Sequence, residues 1–202
     1  WVSGAAWSPD ETRLLTWSQD YTARLWDAAT GVPVLALRHD GPVWGAAWNA
    51  DETRLITWSW DNTARVWDAA TGQILLTLEH DDSVVGAAWN TNETRLLTWS
   101  WDDTARVWDT ATGENLLSLR HSGNVRGAIW SQDETRILTW SDDTFARVWD
   151  ARRGSALSTL PHGEAVAGAA WNADETRLLT WSADSTARVW DAASGGELFR
   201  VH

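Results

Sequence analysis

The sequence of 202 residues contains no cysteine and no methionine, and arginine supplies all 16 of its basic side chains, so lysine is absent as well. Without cysteine the fold cannot rest on disulfide bonds, and metal sites that use thiolates are excluded. Stability must come from packing and hydrogen bonding. Because the chain starts at Trp1 and not at a methionine, we expect an excerpt of a longer chain, a processed product or an engineered protein.

Long hydrophobic runs are missing too. No stretch approaches the roughly 18 to 20 consecutive apolar residues of a membrane-spanning helix, and the N-terminus lacks the pattern of a signal peptide. The formal net charge is −12, which disfavours nucleic-acid binding, since phosphate recognition draws on clustered Lys and Arg. We therefore expect neither a membrane nor a nucleic-acid partner. The sequence leaves the compartment open, and of the compartments we favour the cytoplasm.

Tryptophan is abundant, and its positions show an internal repeat. Trp-Asp pairs occur at a constant spacing of 41 residues. Three flanking sequence motifs recur with small changes: GAAW, DETRLLTWS and TARVWD. We predict one array of five repeats at approximately 1–41, 42–82, 83–123, 124–164 and 165–202. The pairs begin at Trp26, Trp67, Trp108, Trp149 and Trp190.

Each repeat contains four short runs rich in Val, Leu, Ile, Thr and Trp, separated by turn residues, which predicts four strands and no helix. In the second repeat the predicted strands are 43–48, 54–59, 63–68 and 74–79. A sheet with two apolar faces must pack between other sheets, so the predicted fold class is all-β. Four glycines suit positive-φ positions that close a hairpin: Gly31, Gly72, Gly113 and Gly154.

The repeat period, the terminal Trp-Asp and the histidine before the first strand of the second to fifth repeats resemble the WD-repeat family, and the resemblance covers the whole chain. It implies a β-propeller of five four-stranded antiparallel blades, with recently amplified repeats of prokaryotic type or an engineered protein built from them. It also implies a non-enzymatic scaffold or interaction module that presents a propeller face to a protein or peptide. Two departures are that the usual Gly-His reads Arg-His, Glu-His or Pro-His, and that tryptophan replaces a small residue of the second strand.

These replacing tryptophans have a steric explanation. Trp58, for example, stands near a first strand that is trimmed to Gly45, Ala46 and Ala47, so that a large side chain meets small ones. Three series of tryptophans, which begin with Trp7, Trp17 and Trp26, recur in all five repeats. We expect all of these framework tryptophans to lie in the core.

The resemblance also implies a buried polar network in which Asp61 holds His39, and His39 reaches a hydroxyl of Thr57 or Ser59 and then Trp67. Such a network fixes strand register when every group is paired. The first repeat has no preceding histidine, and His202 is the only one left to supply it. The predicted network residues are His39, Ser59, Asp61, Trp67, His80, Ser100, Asp102, Trp108, His121, Ser141, Asp143, Trp149, His162, Ser182, Asp184 and Trp190.

Histidine, serine and aspartate are also the residue types of a hydrolytic triad. Because an active site needs one preorganised constellation and not one per repeat, we expect no enzyme and no catalytic residue. The acidic pairs of the sequence lack the convergent spacing of a metal site. We therefore expect no metal and no cofactor.

Positions that differ between repeats are those that can encode a specific function. Trp44, Trp60 and Trp101 stand out, with Arg126 and Asp142 beside them. In similar propellers these positions open onto the narrow face around the central channel and commonly contact partners. Aromatic and arginine side chains dominate interface energetics, so these five residues are candidate partner-binding residues. The alternative is that the tryptophans extend the packing of neighbouring blades.

The sequence does not decide whether the five blades close into a ring. Rings of this family commonly have seven blades, and no N-terminal strand is available to complete the last blade. An open array would expose two tryptophan-rich sheet faces. We expect self-association, as a homodimer. The alternatives are a closed five-bladed monomer and part of a longer array. A self-assembling building block whose chains pool their blades is the alternative function.

Overall fold

The structure is a computed structural model that describes all residues from 1 to 202. It contains twenty β-strands, and it has no helix that could span a membrane. The strands form five four-stranded sheets, each in sequence order. This arrangement confirms the prediction of five four-stranded blades without helices.

All sheets follow one plan of short strands joined by tight turns. The first contains β1 (Val2–Trp7), β2 (Arg13–Ser18), β3 (Thr22–Asp27) and β4 (Pro33–Arg38), and the second β5 (Val43–Trp48), β6 (Arg54–Ser59), β7 (Thr63–Asp68) and β8 (Ile74–Glu79). The third contains β9 (Val84–Trp89), β10 (Arg95–Ser100), β11 (Thr104–Asp109) and β12 (Asn115–Arg120). The fourth contains β13 (Val125–Trp130), β14 (Arg136–Ser141), β15 (Phe145–Asp150) and β16 (Ala156–Pro161), and the fifth β17 (Val166–Trp171), β18 (Arg177–Ser182), β19 (Ala187–Asp191) and β20 (Glu197–Val201).

The chain forms two compact units. The first comprises residues 1–96 and 109–114, and the second comprises residues 97–108 and 115–202. The first unit therefore holds the first two sheets, and the second holds the last two. The division passes through the third sheet.

The turns explain why the strands end where they do. Asp61 closes the β6–β7 turn, because its carboxylate accepts hydrogen bonds from the amide (3.0 Å) and the hydroxyl (2.7 Å) of Thr63. Gly72 adopts a φ of 72° before β8, which is strained for residues with a side chain. The predicted positive φ of the equivalent glycines is confirmed, and the strands of the second sheet have the predicted bounds.

The steric pairing of glycine and tryptophan is a direct cross-strand contact. Gly45 is the register partner of Trp58. A Cβ atom on Gly45 would lie 2.1 Å from the indole ring of Trp58, far inside van der Waals contact. The same relation holds at Gly4, Gly127 and Gly168. Only glycine at this position leaves room for the tryptophan of the second strand.

Gly45→Ala should lower the free energy of unfolding by about 1–3 kcal/mol, because the added methyl group overpacks the site. In that background Trp58→Ala should cost less than it costs in the parent protein, since it removes the clash. Denaturant unfolding of the parent, both single variants and the double variant measures the coupling. Additive losses would contradict the steric explanation.

The core lies between successive sheets. Within the first unit, one face of the first sheet, which we call its front face, packs on the rear face of the second sheet. The second unit repeats this packing between the third and fourth sheets and between the fourth and fifth sheets. The front face of the first sheet carries Leu15, Trp17, Ala23, Leu25, Leu35 and Leu37, and the rear face of the second carries Val43, Ala46, Trp48, Leu55, Trp67 and Ala69.

A polar clamp links neighbouring sheets at the rim of the packed faces. Arg13 lies over the ring of Trp48 at 4.5 Å and makes a 3.1 Å ion pair with Glu52. Glu52 holds a φ of 61°, and its carboxylate also accepts a 2.7 Å hydrogen bond from the amide of Asp10. Such a cation–π contact is worth about 0.5–2 kcal/mol, and the partly exposed ion pair less. The clamp recurs as Arg54, Trp89 and Glu93 and as Arg136, Trp171 and Glu175.

The expectation that all framework tryptophans are core is wrong in part. Trp67, Trp108, Trp149 and Trp190 are buried, whereas the series of Trp17 is partly exposed. Trp7 and Trp181 are exposed outright, because they lie on faces of the first and the last sheet that carry no covering sheet. Burial of a tryptophan therefore depends on its sheet as well as on its position in the repeat.

Candidate functional site

The polar network of the second sheet is a linear chain of hydrogen bonds. Asp61 Oδ2 accepts from His39 Nδ1 at 2.8 Å, and His39 Nε2 meets the hydroxyl of Thr57 at 2.7 Å. Trp67 Nε1 donates to that hydroxyl at 2.7 Å. Because the carboxylate can only accept, His39 donates from Nδ1; Nε2 of the neutral ring then accepts from the Thr57 hydroxyl, whose oxygen accepts from Trp67. His39 follows β4, so the network ties the first sheet to the second.

The second unit contains two further copies. His121 and His162 each contact a threonine hydroxyl at 2.7 Å, and their aspartates, Asp143 and Asp184, lie at 3.0 and 3.1 Å. Trp149 and Trp190 complete these copies by donating to the same hydroxyls. In the third sheet Trp108 Nε1 donates to Thr98 at 2.7 Å, Asp102 pairs with Arg106, and His80 is buried.

The serine members of the predicted network need correction. Ser59 donates to the main-chain oxygen of Pro42 at 2.9 Å and accepts the amide hydrogen of Asp61 at 3.1 Å. It ends β6 beside the loop before β5, so its hydroxyl pairs loop atoms, and the threonine two residues earlier contacts the histidine. Ser59 also donates to the main-chain oxygen of Gly41 at 3.2 Å, and Ser141 and Ser182 donate to the equivalent oxygens of Gly123 and Glu164. Ser100, Ser141 and Ser182 each accept the amide hydrogen of the aspartate two residues on.

The first sheet has no histidine in its network, and the expectation that His202 supplies one is wrong. Trp26 Nε1 donates to Thr16 at 2.9 Å, and the carboxylate of Asp20 binds Thr22 and Arg24. Val201 pairs with Ala187 as Leu160 pairs with Ala146. His202 therefore occupies the register position of Pro161, one residue before that of His162, and it is exposed.

Thr57→Val should lower the free energy of unfolding by about 2–4 kcal/mol, because it leaves His39 Nε2 and Trp67 Nε1 buried without partners. Thr16→Val is the matched control. It removes the equivalent hydroxyl where no histidine depends on it, and should cost about 1 kcal/mol. Denaturant unfolding of both variants measures the difference. Equal losses would show that the histidine link adds no stability.

Burial controls the ionisation of the network. It lowers the pKa of His121 to about 4. The Asp143 carboxylate raises this pKa by less than burial lowers it, and the Arg147 guanidinium lowers it further. Burial alone would raise the pKa of Asp143, but hydrogen bonds, foremost from Arg147, hold that pKa at about 2. Burial likewise lowers the pKa of His162. The folded protein therefore favours neutral His121 and His162 beside ionised Asp143 and Asp184.

The sign of the pH dependence follows. Below its unfolded pKa of 6.5, His121 binds more protons in the unfolded chain than in the folded one, so stability is lost as the pH falls from there to about 4. The loss from His121 alone should reach about 3 kcal/mol. Denaturant unfolding across this pH range measures it. His121→Gln should reduce the pH dependence and His202→Gln should not; an unchanged dependence in His121→Gln would contradict the assignment.

The buried network is inaccessible to a substrate. The surface grooves are lined mainly by apolar and aromatic side chains. The rings of His39, His121 and His162 have both nitrogens occupied, and their side chains are fully buried. No three His, Cys, Asp or Glu side chains are grouped so that they could hold a metal ion. A groove of about 510 Å³ in the first unit is lined by Trp1, Val2, Ser3, Trp17, Gln19 and Trp44.

The candidate partner-binding residues fall in both units. In the first unit the rings of Trp44 and Trp60 stack with centroids 5.2 Å apart, and the two side chains are 44% and 40% exposed. In the second unit Arg126 forms an ion pair with Asp142, and Trp101 is half-buried. The structure thus joins four of the candidates into two pairs.

A family model, described as WD domain, G-beta repeat, matches residues 1–27, 31–68, 72–109, 113–150 and 154–191, which make up most of the chain. The chain belongs to this family. Its fold is therefore an all-β propeller of five WD-repeat blades, as the sequence predicts. WD-repeat propellers are in general not enzymes, and WD repeats suggest a protein-interaction scaffold.

Many solved structures are similar to this WD-repeat chain. One is the crystal structure of the computationally designed Ika8 protein, with a TM-score of 0.84 and 24% identity. The alignment covers 99% of this chain and 61% of that chain, so this chain spans about three fifths of its length. At this identity the likeness concerns the fold alone. None of the curated proteins matches the sequence.

Proposed function

We propose that the chain is a non-enzymatic interaction module that binds a protein or peptide partner through the stacked pair Trp44 and Trp60. The observation that carries the proposal is the exposure of this pair, since two large aromatic side chains face solvent side by side. Other blades have Val85 or Ala167 at the position of Trp44, so the repeat itself does not require an aromatic residue there.

The surroundings of the pair favour an apolar or aromatic anchor on the partner. Trp44 also lines the 510 Å³ groove, with Trp1 and Trp17 as further aromatic walls and Gln19 as a polar group. A side chain that enters the groove would lose contact with water and gain contact with several rings. Burial of this kind, at a few aromatic residues, supplies most of the free energy of typical interfaces.

The second group of candidates contributes less to the proposal. Arg126 and Asp142 already bind each other, so a partner would have to break or share their ion pair. Trp101 stays a predicted contact. We infer no nucleic-acid or membrane partner and a cytoplasmic location, and the net charge of −12 supports the first of these.

Two alternatives compete with partner binding. The first is that Trp44 and Trp60 only extend the packing of their blades; their mutual stacking is compatible with it, and their exposure weighs against it. The second is a self-assembling building block. The exposed faces of the end blades favour that function, and the likeness to a designed protein is compatible with it.

Selection of phage-displayed random peptides on the immobilised protein tests partner binding. We expect the enriched peptides to bind the variant Trp44→Ala/Trp60→Ala at least about tenfold more weakly than the parent. Fluorescence polarisation of a labelled peptide measures both affinities. Ile74→Ala/Leu75→Ala is the matched control, because it removes two exposed apolar side chains from β8, and it should leave the affinity unchanged.

Two results would overturn the proposal. Peptides that bind the double tryptophan variant as tightly as the parent would place the binding surface elsewhere. A loss of folding in that variant, seen by circular dichroism, would favour the packing alternative. Trp101→Ala, made separately, shows whether the half-buried tryptophan belongs to the same surface.

A further inference from the structure

The front face of the fifth blade is apolar and exposed. It carries Leu179, Trp181, Ala187, Val189, Phe199 and Val201, at the repeat positions of the front face that the first blade buries. Leu179 is 41% and Val201 54% exposed, whereas the equivalent Leu15 and Leu37 are fully buried. A face built for burial therefore lies open to solvent.

The rear face of the first blade is its complement. It carries Val2, Ala5, Trp7, Leu14, Trp26 and Ala28, at the repeat positions of the buried rear face of the second blade. Val2 is 63% exposed, whereas its equivalent, Val43, is fully buried. Trp7 is 59% exposed, whereas Trp48 packs against the first blade. The chain thus carries one unused copy of each half of its internal interface.

The polar clamp is also divided between these faces. Arg177 corresponds to Arg13, but its side chain is exposed and has no ion pair. Glu11 and Trp7 correspond to Glu52 and Trp48. Glu11 has a φ of 59°, close to the 61° of Glu52, so its backbone already has the conformation that the clamp requires.

We propose that these faces join copies of the chain head to tail, with the front face of one fifth blade packed on the rear face of the first blade of a second copy. Arg177 then binds Glu11 and covers the ring of Trp7 of that copy. The contact repeats the packing between internal blades residue by residue, which identifies a second copy as the occupant. A contact between two different surfaces is heterologous, so each copy can use both of its faces.

Opposite charges at the joint allow a sharp test. We expect the parent to show a mass above the single-chain 22.5 kDa in light scattering after size exclusion. Arg177→Glu and Glu11→Arg should each weaken assembly at least about tenfold, because like charges then meet across the joint. Mixing the two variants should restore assembly, with the two kinds of copy alternating, since the two reversed side chains face each other at one joint and the unchanged Arg177 and Glu11 face each other at the next.

Controls separate this joint from other causes. Arg153→Glu reverses an exposed charge outside the two faces, and it should leave the mass unchanged. Leu179→Asp places a charge in the middle of the front face and should abolish assembly. Circular dichroism verifies the folding of every variant; if Leu179→Asp fails to fold, the two charge reversals and their mixture still decide.

The joint also predicts a gain of affinity. Insertion of one arginine between Val201 and His202 moves the histidine to the register position of His162, where it can reach Asp20 and Thr16 of the second copy. We expect assembly to tighten about tenfold, and Thr16→Val to cancel the gain.

Three results would overturn the proposal. The first is a parent that stays at 22.5 kDa over a wide range of protein concentrations. The second is assembly that none of the face variants changes. The third is an insertion that gives no gain, since it would contradict the register of the two faces. None of these experiments involves the Trp44–Trp60 pair, so the outcome for partner binding is read separately.

Discussion

Each sheet of this protein has two apolar faces, and a four-stranded sheet cannot cover either of them with its own residues. The neighbouring sheet supplies the cover, and most of the structure follows from this constraint. It explains why Leu15 and Val43 are fully buried although they belong to different blades. It also explains why residues of the same repeat position become exposed in the first and the last blade. The repeat determines which side chains each sheet face carries, and the neighbouring sheet determines whether that face is buried.

Buried polar groups impose a second constraint on the same interface. A histidine that follows the last strand of one blade binds the aspartate and the threonine of the next, so the network joins blades as well as strands. Its groups are paired and inaccessible, which is why residue types that elsewhere catalyse hydrolysis are structural here. In the first blade the histidine is missing, and the threonine and tryptophan keep only the bond between them.

Because the scaffold uses the repeated residues, a specific function has to depend on positions that the scaffold leaves unconstrained. Trp44 and Trp60 are such positions, and they form an exposed stacked pair next to a groove with aromatic walls. Arg126 and Asp142 are also variable, yet they satisfy each other. Among WD-repeat blades that are otherwise nearly alike, this difference makes the first unit the better candidate for partner recognition.

The sequence alone determined the repeat, the four strands of each blade, the positive-φ glycines and the fit of Trp58 over Gly45, because these depend on residues close together in the chain or paired across one hairpin. It also identified the residue types of the polar network. Only the tertiary structure decided that Thr57 and not Ser59 contacts the histidine. Both hydroxyls lie on one strand, and the hydroxyl of Ser59 is hydrogen-bonded to the neighbouring loop instead. The tertiary structure also decided which tryptophans belong to the core, because the burial of a sheet face depends on the sheet that covers it. The repeated sequence is nearly the same for covered and uncovered faces, so it could not distinguish them.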